Sequence, residues 1–167
     1  DEPLKWRMLT TEPIDTLEQA LQIVHYYEQR WIIEEFHKCW KTGCRVEERP
    51  FQSFDAVDRF LAISCHIGIR ILQLHRLARS SPDGACTTVL DEDELSCLQA
   101  MSPTPLTAQE VLLAIAKLGG WRDTKNTGRI GWQAIWTGWS RFQERLVGWR
   151  LAKEYSKSKD KCGLSND

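Results

Sequence analysis

The first quarter of the chain carries apolar side chains at spacings of three and four residues. Between residues 17 and 36 they share one flank of a regular helix, with polar residues beside it, which predicts an amphipathic helix. Asp15 and Glu18 resemble a capping box, and Gly43 is a typical stop signal. The pattern therefore predicts one long helix that starts after Asp15 and runs to about Thr42.

The rest of the chain also reads as mainly helical. Thr107 and Glu110 form a second capping-box pattern, and Gly119 with Gly120 would end the helix that they open. The pattern predicts helices at about residues 54–79, 93–101, 107–118 and 131–156, with a disordered polar tail at 157–167.

A short strand is predicted at the beginning of the chain. Leu4, Trp6 and Met8 alternate with two cations, which is typical of a strand over residues 4–11. A lone strand cannot satisfy its backbone hydrogen bonds, and no second convincing strand follows. Because the chain also begins with Asp1 rather than methionine, we expect the partner strands to lie upstream in a longer protein.

Composition excludes several classes of protein. A net charge of −1 provides no overall attraction to nucleic acid, so any DNA binding must depend on local charge. The six cysteines form no C-x-x-C pair and the four histidines complete no zinc spacing, which favours free thiols in a reducing compartment. The sequence shows no signal peptide, and polar residues interrupt its longest apolar run, 60–77, so we expect no membrane partner.

One stripe of the predicted long helix carries reactive side chains. At about 100° per residue, Tyr27, Arg30, Glu34 and Lys41 leave the helix within an arc of roughly 60°. On spacing alone we favour a solvated face, because Arg30–Glu34 and Glu34–Lys38 are ordinary i,i+4 pairs. The alternative is a metal-binding carboxylate among cations that hold phosphate oxygens.

The same four positions match the signature Y-(2)-R-(3)-E-(6)-K. With it, the chain resembles the bacterial cut-and-paste DDE transposases of the insertion-sequence class, most closely the type carried by the kanamycin-resistance composite transposon. Further blocks resemble that family in the same order along the chain: "PLKW", "LTTEP", "RWIIEEFHKCWKTG", "LGGWRDTKNTG" and "WQAIWTGW".

The resemblance implies a fold and a reaction. It implies the C-terminal piece of an RNase-H-like α/β catalytic domain at residues 1–80, a linker with a short helix at 81–106, and a helical dimerisation domain at 107–156. In the family, two aspartates and one glutamate hold two divalent metal ions for phosphodiester hydrolysis and strand transfer. Glu34 takes the position of the catalytic, metal-binding glutamate.

The resemblance also implies contacts with transposon-end DNA. Arg30 and Lys41 take the positions that hold phosphates, and Tyr27 takes a position that contacts the backbone. Trp6 matches an aromatic residue on which a flipped base stacks, although a core aromatic in a sheet is its ordinary interpretation. Two further residues match positions close to the DNA, namely His37 and Lys38.

Departures from the family pattern limit what this chain is expected to do alone. Neither Asp1 nor Asp15 fits the position of a family aspartate, so Mg²⁺ or Mn²⁺ would bind only with ligands from a full-length protein. We expect this chain to be part of a bacterial, cytoplasmic transposase and to be inactive by itself. The alternative is a non-catalytic module that dimerises with intact transposase and inhibits it.

The last helix carries an apolar seam that the resemblance assigns to a homodimer in the DNA complex. Trp139, Phe142, Leu146 and Trp149 recur at spacings of three and four. The alternative is that part of this seam packs on the helix opened by Thr107 of the same chain.

Overall fold

A computed structural model of the chain describes residues 5–102, 106–125 and 127–161. Over these ranges the fold is mainly α, which confirms the predicted fold class. The helices are α1 (Leu17–Gln29), α2 (Trp31–Cys44), a 3₁₀ turn (Val46–Glu48), α3 (Phe54–Ser80), α4 (Glu92–Met101), α5 (Ala108–Leu118) and α6 (Trp132–Lys161).

The short strand predicted for residues 4–11 is wrong over the part that the structure describes. Residues 5–10 have no regular secondary structure, and Leu4 lies outside the described residues. The described residues contain no strand that could provide the hydrogen bonds of a sheet. Alternating apolar residues cannot form a strand without such a partner.

The predicted long helix is two helices, divided at Arg30. The Arg30 N–H donates to the carbonyl of Tyr27, and the Ile33 N–H donates to that of Arg30, both at 3.1 Å, so the hydrogen bonds tighten to i→i+3 spacing. The capping box also differs by one residue from the prediction. Thr16 and Gln19 form it, with each side chain accepting from the other's backbone N–H.

Gly43 does not end the helix as the sequence suggested. It lies inside α2, where an added Cβ would come within 2.3 Å of the Trp136 indole, so glycine is needed there for packing. The left-handed residue beyond α2 is Arg45, with φ of 50°. A terminating glycine and a packing glycine have the same letter in the sequence, and only the neighbouring ring distinguishes them.

The chain divides into two compact units, residues 1–35 and 36–167. In the first unit, none of the described residues is buried, and α1 leaves the apolar side chains of Leu17 and Leu21 mostly exposed. The second unit contains the hydrophobic core, in which α6 packs against α3, α4 and α5.

The helices α5 and α6 approach each other very closely. A Cβ on Gly138 would lie 1.8 Å from the carbonyl oxygen of Ile115, and a Cβ on Gly119 would lie equally close to that of Ala134. Gly119 is the C-cap of α5, and Gly120 follows with φ of 94°, as the sequence predicted for this helix end. Two glycines on facing helices therefore set the distance between α5 and α6.

The helix α6 is longer than its sequence pattern indicated. Residues 157–161, part of the segment predicted as a disordered tail, continue the helix, while residues 162–167 lie outside the described residues. Three of the residues 157–161 are lysines, which favour a helix in spite of the polar composition of this segment. Within the described ranges, no helix is long and apolar enough to cross a membrane.

Candidate catalytic and DNA-end site

The centre of the candidate site is an ion pair between Arg30 and Glu34. Arg30 Nη1 lies 2.7 Å from Glu34 Oε1, and each side chain keeps about half of its surface in solvent, at 50% and 45%. Arg30 occupies the junction of α1 and α2, and Glu34 lies in the first turn of α2. The Glu34 carboxylate is therefore already paired with a cation, although about half of its side chain remains exposed.

Two aromatic rings hold the Arg30 guanidinium. Its central carbon lies 5.6 Å from the ring centroid of Tyr27 and 5.4 Å from that of Trp31. At such distances the ring faces attract the cation. The two rings and the Glu34 carboxylate thus restrict the Arg30 side chain, whereas a freely solvated surface arginine has no such contacts.

Trp6 completes an aromatic cluster with Tyr27. The two rings meet edge to face, with centroids 6.0 Å apart and planes inclined by 66°. Trp6 keeps 63% of its surface exposed. The structure therefore brings together four of the side chains that the sequence singled out, Trp6, Tyr27, Arg30 and Glu34.

An open depression of about 520 Å³ lies beside this cluster. It is lined by Trp6, Met8, Val24, Tyr27, Glu28 and Trp31. Sequence reasoning did not single out Met8, Val24, Glu28 or Trp31, and 54% of Trp31 is exposed here. The signal was present, because Met8 follows Trp6 by two residues and Val24, Tyr27 and Trp31 recur at helical spacing.

The remaining predicted DNA contacts lie on the part of α2 that belongs to the second unit. His37, Lys38 and Lys41 are all exposed. The His37 ring lies against Phe36 and Trp40, with centroid distances of 5.6 and 6.5 Å. These exposed positions are compatible with contacts to a partner, and their roles in DNA binding stay predictions.

The residues proposed for dimerisation lie mostly in the core of the second unit. Trp139, Phe142 and Leu146 are 2%, 0% and 1% exposed, and Trp149 is partly buried against the same core. They pack in the interface that α6 makes with its neighbouring helices, which is the alternative that the sequence left open. Their dimerisation role stays a prediction, which now depends on exposed residues nearby.

The metal chemistry implied by the resemblance needs more ligands than the described residues bring together. Over residues 5–102, 106–125 and 127–161, no three histidine, cysteine or acidic side chains lie close enough to hold an ion. Glu34 does fit as one ligand, because it is an accessible carboxylate on a helix. One carboxylate cannot hold two ions about 4 Å apart, so further acids are required.

One comparison with known protein families bears on this site. Residues 1–67 match the family model described as "Transposase DDE domain". The matched range includes α1, α2 and the whole of the aromatic and ionic cluster around Arg30. Residues 1–67, which are less than half of the chain, are therefore similar to the catalytic domain of DDE transposases.

Proposed function

We propose that this chain supplies the third carboxylate and part of the DNA-end surface of a transposase that cleaves DNA ends and joins them to a target. The observation that carries the proposal is the arrangement in the first unit. Glu34 is paired with Arg30, and Arg30 lies between two aromatic rings next to the exposed Trp6. The other two acids would come from elsewhere in a complete catalytic domain.

Glu34 would act as a metal ligand and Arg30 as a phosphate ligand. When bound, Mg²⁺ or Mn²⁺ would activate the attacking water and stabilise the leaving oxygen. The guanidinium is a planar donor that binds phosphate oxygens in pairs, so it can exchange its carboxylate partner for a DNA phosphate. An exposed pair of this kind contributes little to stability, so the exchange costs little free energy.

Trp6 and its depression would hold a base extruded from the DNA end. Unstacking a base costs a few kcal/mol, and stacking on an aromatic side chain recovers about 1–3 kcal/mol. The depression of about 520 Å³ is open, and aromatic and apolar residues form most of its lining. Tyr27 supports Trp6 from the side, which reduces the conformational freedom that binding must remove.

The exposed apolar face of α1 is consistent with an incomplete domain. Leu17 and Leu21 are 76% and 58% exposed, although their spacing is that of a core-facing stripe. We propose that the rest of an RNase-H-like sheet covers them in the complete protein.

The test uses Glu34→Gln and Arg30→Ala in a longer version of the protein that contains the upstream acids. Glu34→Gln should abolish DNA cleavage while end binding stays nearly unchanged, because the carboxylate binds metal rather than DNA. Arg30→Ala should weaken end binding and lower its salt dependence by about one counterion per lost contact. Cleavage that persists in Glu34→Gln would refute the catalytic assignment.

A second candidate is a non-catalytic module that pairs with intact transposase and inhibits it. Among the described residues, no three potential metal ligands lie together, which favours this role for the chain on its own. Adding the purified chain to an active transposase distinguishes the two. Inhibition that Glu34→Gln leaves intact, and that disruption of α6 removes, would support the inhibitory role.

The proposed homodimer needs an exposed contact on α6. Val147, Leu151 and Tyr155 recur every four residues and are 59%, 62% and 65% exposed. They start beside Leu146 of the buried seam and extend past its end, so we propose that this stripe pairs with the same stripe of a second copy. Sedimentation at increasing protein concentration should show self-association, and a monomer at all concentrations, with and without DNA, would exclude it.

A further inference from the structure

We infer that the groove between α4, α5 and α6 binds a small organic carboxylate that carries an apolar body. The groove has a volume of about 460 Å³ and is partly open to solvent. Small-molecule sites in proteins are clefts of roughly 300–1,000 Å³, lined mostly by apolar side chains with a few polar groups that fix the orientation of the ligand. This groove has both features, and its lining comes from three helices of the second unit.

The apolar part of the lining reaches from the surface to the hydrophobic core. Leu98 of α4 is 1% exposed and belongs to the core, whereas Met101 at the end of the same helix is 40% exposed. Leu113, Ala114 and Leu118 of α5 complete the apolar lining, and all three are partly exposed. The groove therefore exposes apolar surface that an aliphatic ligand would remove from water.

Two cations line the groove, and neither has an acidic partner among residues 5–102, 106–125 and 127–161. Arg145 Nη1 donates to the Met101 sulfur at 3.4 Å, and a thioether is only a weak, uncharged acceptor. No described acid lies within salt-bridge distance of Arg145 or Lys117. Arg150 on the same helix, by contrast, lies 2.9 Å from Asp91. A ligand carboxylate could therefore bind Arg145 without displacing another acid, and two parallel N–H groups of a guanidinium fit two carboxylate oxygens.

The remaining charged residue of the lining is Glu110, which is already engaged. Its carboxylate accepts from the Thr107 backbone N–H at 3.1 Å, and this contact closes the capping box of α5. Lys117 and Arg145 therefore leave the lining with one uncompensated positive charge. A ligand with a single negative charge would balance it.

A phosphate group fits the groove less well than a carboxylate. The first four backbone N–H groups of α5 donate to Gly84, Pro82 and Thr107, so none of these four is available to a ligand. Phosphate sites at helix starts depend on such N–H groups, and a phosphate monoester carries a charge of about −1.5 to −2 at neutral pH. The single excess charge and the apolar lining thus favour a carboxylate with an apolar body.

Such a ligand would contact α4, α5 and α6 at the same time. The groove lies outside the matched family range of residues 1–67 and shares no residue with the Arg30–Glu34 site, so this inference does not rest on the proposed transposase function. A ligand that binds only the folded state stabilises it by mass action. We therefore expect the unfolding temperature of the chain to rise with the concentration of the ligand.

The test uses octanoate as the probe and titrates it into the whole chain by calorimetry, with thermal unfolding as a second readout. The variant Lys117→Gln/Arg145→Gln is compared with a control of equal charge change, Arg59→Gln/Lys157→Gln, on exposed helix positions. We expect the groove variant to bind octanoate about tenfold more weakly or worse, because hydrogen bonds to a charged group are lost, and the control to bind as the wild type. Octanamide, which has the same apolar body and no charge, should bind the wild type about as weakly as octanoate binds the groove variant.

A second pair of variants tests the apolar part of the groove. Ala114→Trp places a large side chain in the groove and should block octanoate, whereas Ala62→Trp, at an exposed position of α3, should leave binding unchanged. Circular dichroism establishes that each variant retains the fold. Because the charge variant alters only exposed side chains, the inference stays testable even if Ala114→Trp does not fold.

Several outcomes would overturn the inference. The wild type might show no saturable binding of octanoate, or it might bind octanamide as tightly as octanoate, which would remove the role of the two cations. Acetate that binds as tightly as octanoate would remove the role of the apolar lining. Octanoate binding that both groove variants retain would place the ligand elsewhere, for example on the exposed apolar face of α1 around Leu17 and Leu21.

Discussion

Arg70 on α3 and Glu94 on α4 form a bidentate ion pair inside the second unit. The two guanidinium nitrogens lie 2.9 and 2.7 Å from the two carboxylate oxygens, and Glu94 is only 2% exposed. Arg70 also donates to the Val89 carbonyl and lies over the Trp139 ring at 5.0 Å, while Gln143 of α6 donates to Glu94. One buried acid thus joins three helices through satisfied hydrogen bonds.

Replacing Glu94 with glutamine should destabilise the fold, because Arg70, whose side chain is only 24% exposed, would keep its charge with no counterion. Breaking a fully buried pair costs about 3–5 kcal/mol, and the partial exposure of Arg70 places the expected loss below that range. Chemical denaturation with a near-ultraviolet readout of the tryptophans measures the loss. Asp93→Asn is the control, since it removes a much more accessible acid of the same helix, whose side chain is 35% exposed, and we expect a smaller change from it. Equal losses in the two variants would contradict the role of Glu94.

The same residue predicts how stability depends on pH. Burial acts to raise the pKa of Glu94, but the hydrogen bonds from Arg70 and the Asp91 N–H, with the Arg70 charge, hold it below its ordinary 4.5. A lowered pKa in the folded state stabilises the fold above the ordinary pKa, and this contribution disappears as pH falls through the folded value. Unfolding free energy should therefore decrease on acidification below about pH 4.5. A Glu94→Gln variant with the same acid dependence would contradict this assignment.

Gly138→Ala should be severely destabilising, although alanine favours helices. Its Cβ would lie 1.8 Å from the Ile115 carbonyl oxygen, so α5 and α6 would have to separate. Gly148→Ala provides the control on the same helix, because nothing lies within 4 Å of that Cβ, and it should stabilise by up to about 1 kcal/mol. Thermal unfolding of both variants gives the comparison. A neutral Gly138→Ala would mean that the helices do not cross as closely as described.

Substitutions on α6 should distinguish residues of the core from residues of the proposed dimer surface. Trp139→Glu places a charge at a position that is 2% exposed and should unfold the second unit, whereas Leu151→Glu at 62% exposure should retain the fold. Only Leu151→Glu should therefore weaken self-association without loss of helicity, as measured by sedimentation and circular dichroism. If Leu151→Glu associates like the wild type, another surface must carry the dimer.

Arg30→Ala should leave stability almost unchanged, because an exposed i,i+4 pair contributes less than about 1 kcal/mol. Arg45→Ala is a matched control, since Arg45 pairs with Glu48 at 2.6 Å at similar exposure. We expect weaker binding to transposon-end DNA for Arg30→Ala and unchanged binding for Arg45→Ala. If the two variants bind transposon-end DNA equally well, the stripe around Arg30 is an ordinary solvated surface.

Local signals in the sequence determined most of the helices. Both ends of α5 are recognisable in the sequence. The helix starts at the capping box of Thr107 and Glu110 and ends at Gly119 and Gly120, because capping and left-handed termination depend on side chains within a few residues. The four signature positions could also be placed on one stripe of a helix, since their spacing in the sequence alone fixes the direction in which each side chain leaves the helix axis. Arg30 and Glu34 indeed lie 2.7 Å apart.

Only the tertiary structure decided where packing overrides a local signal. Gly43 reads as a helix stop, yet it lies inside α2 because the Trp136 ring leaves no room for a side chain there. The alternating residues near Trp6 read as a strand, yet no described strand pairs with them. The seam around Trp139 could face a second copy or its own chain, and its burial against neighbouring helices depends on residues distant in sequence, which periodicity cannot identify.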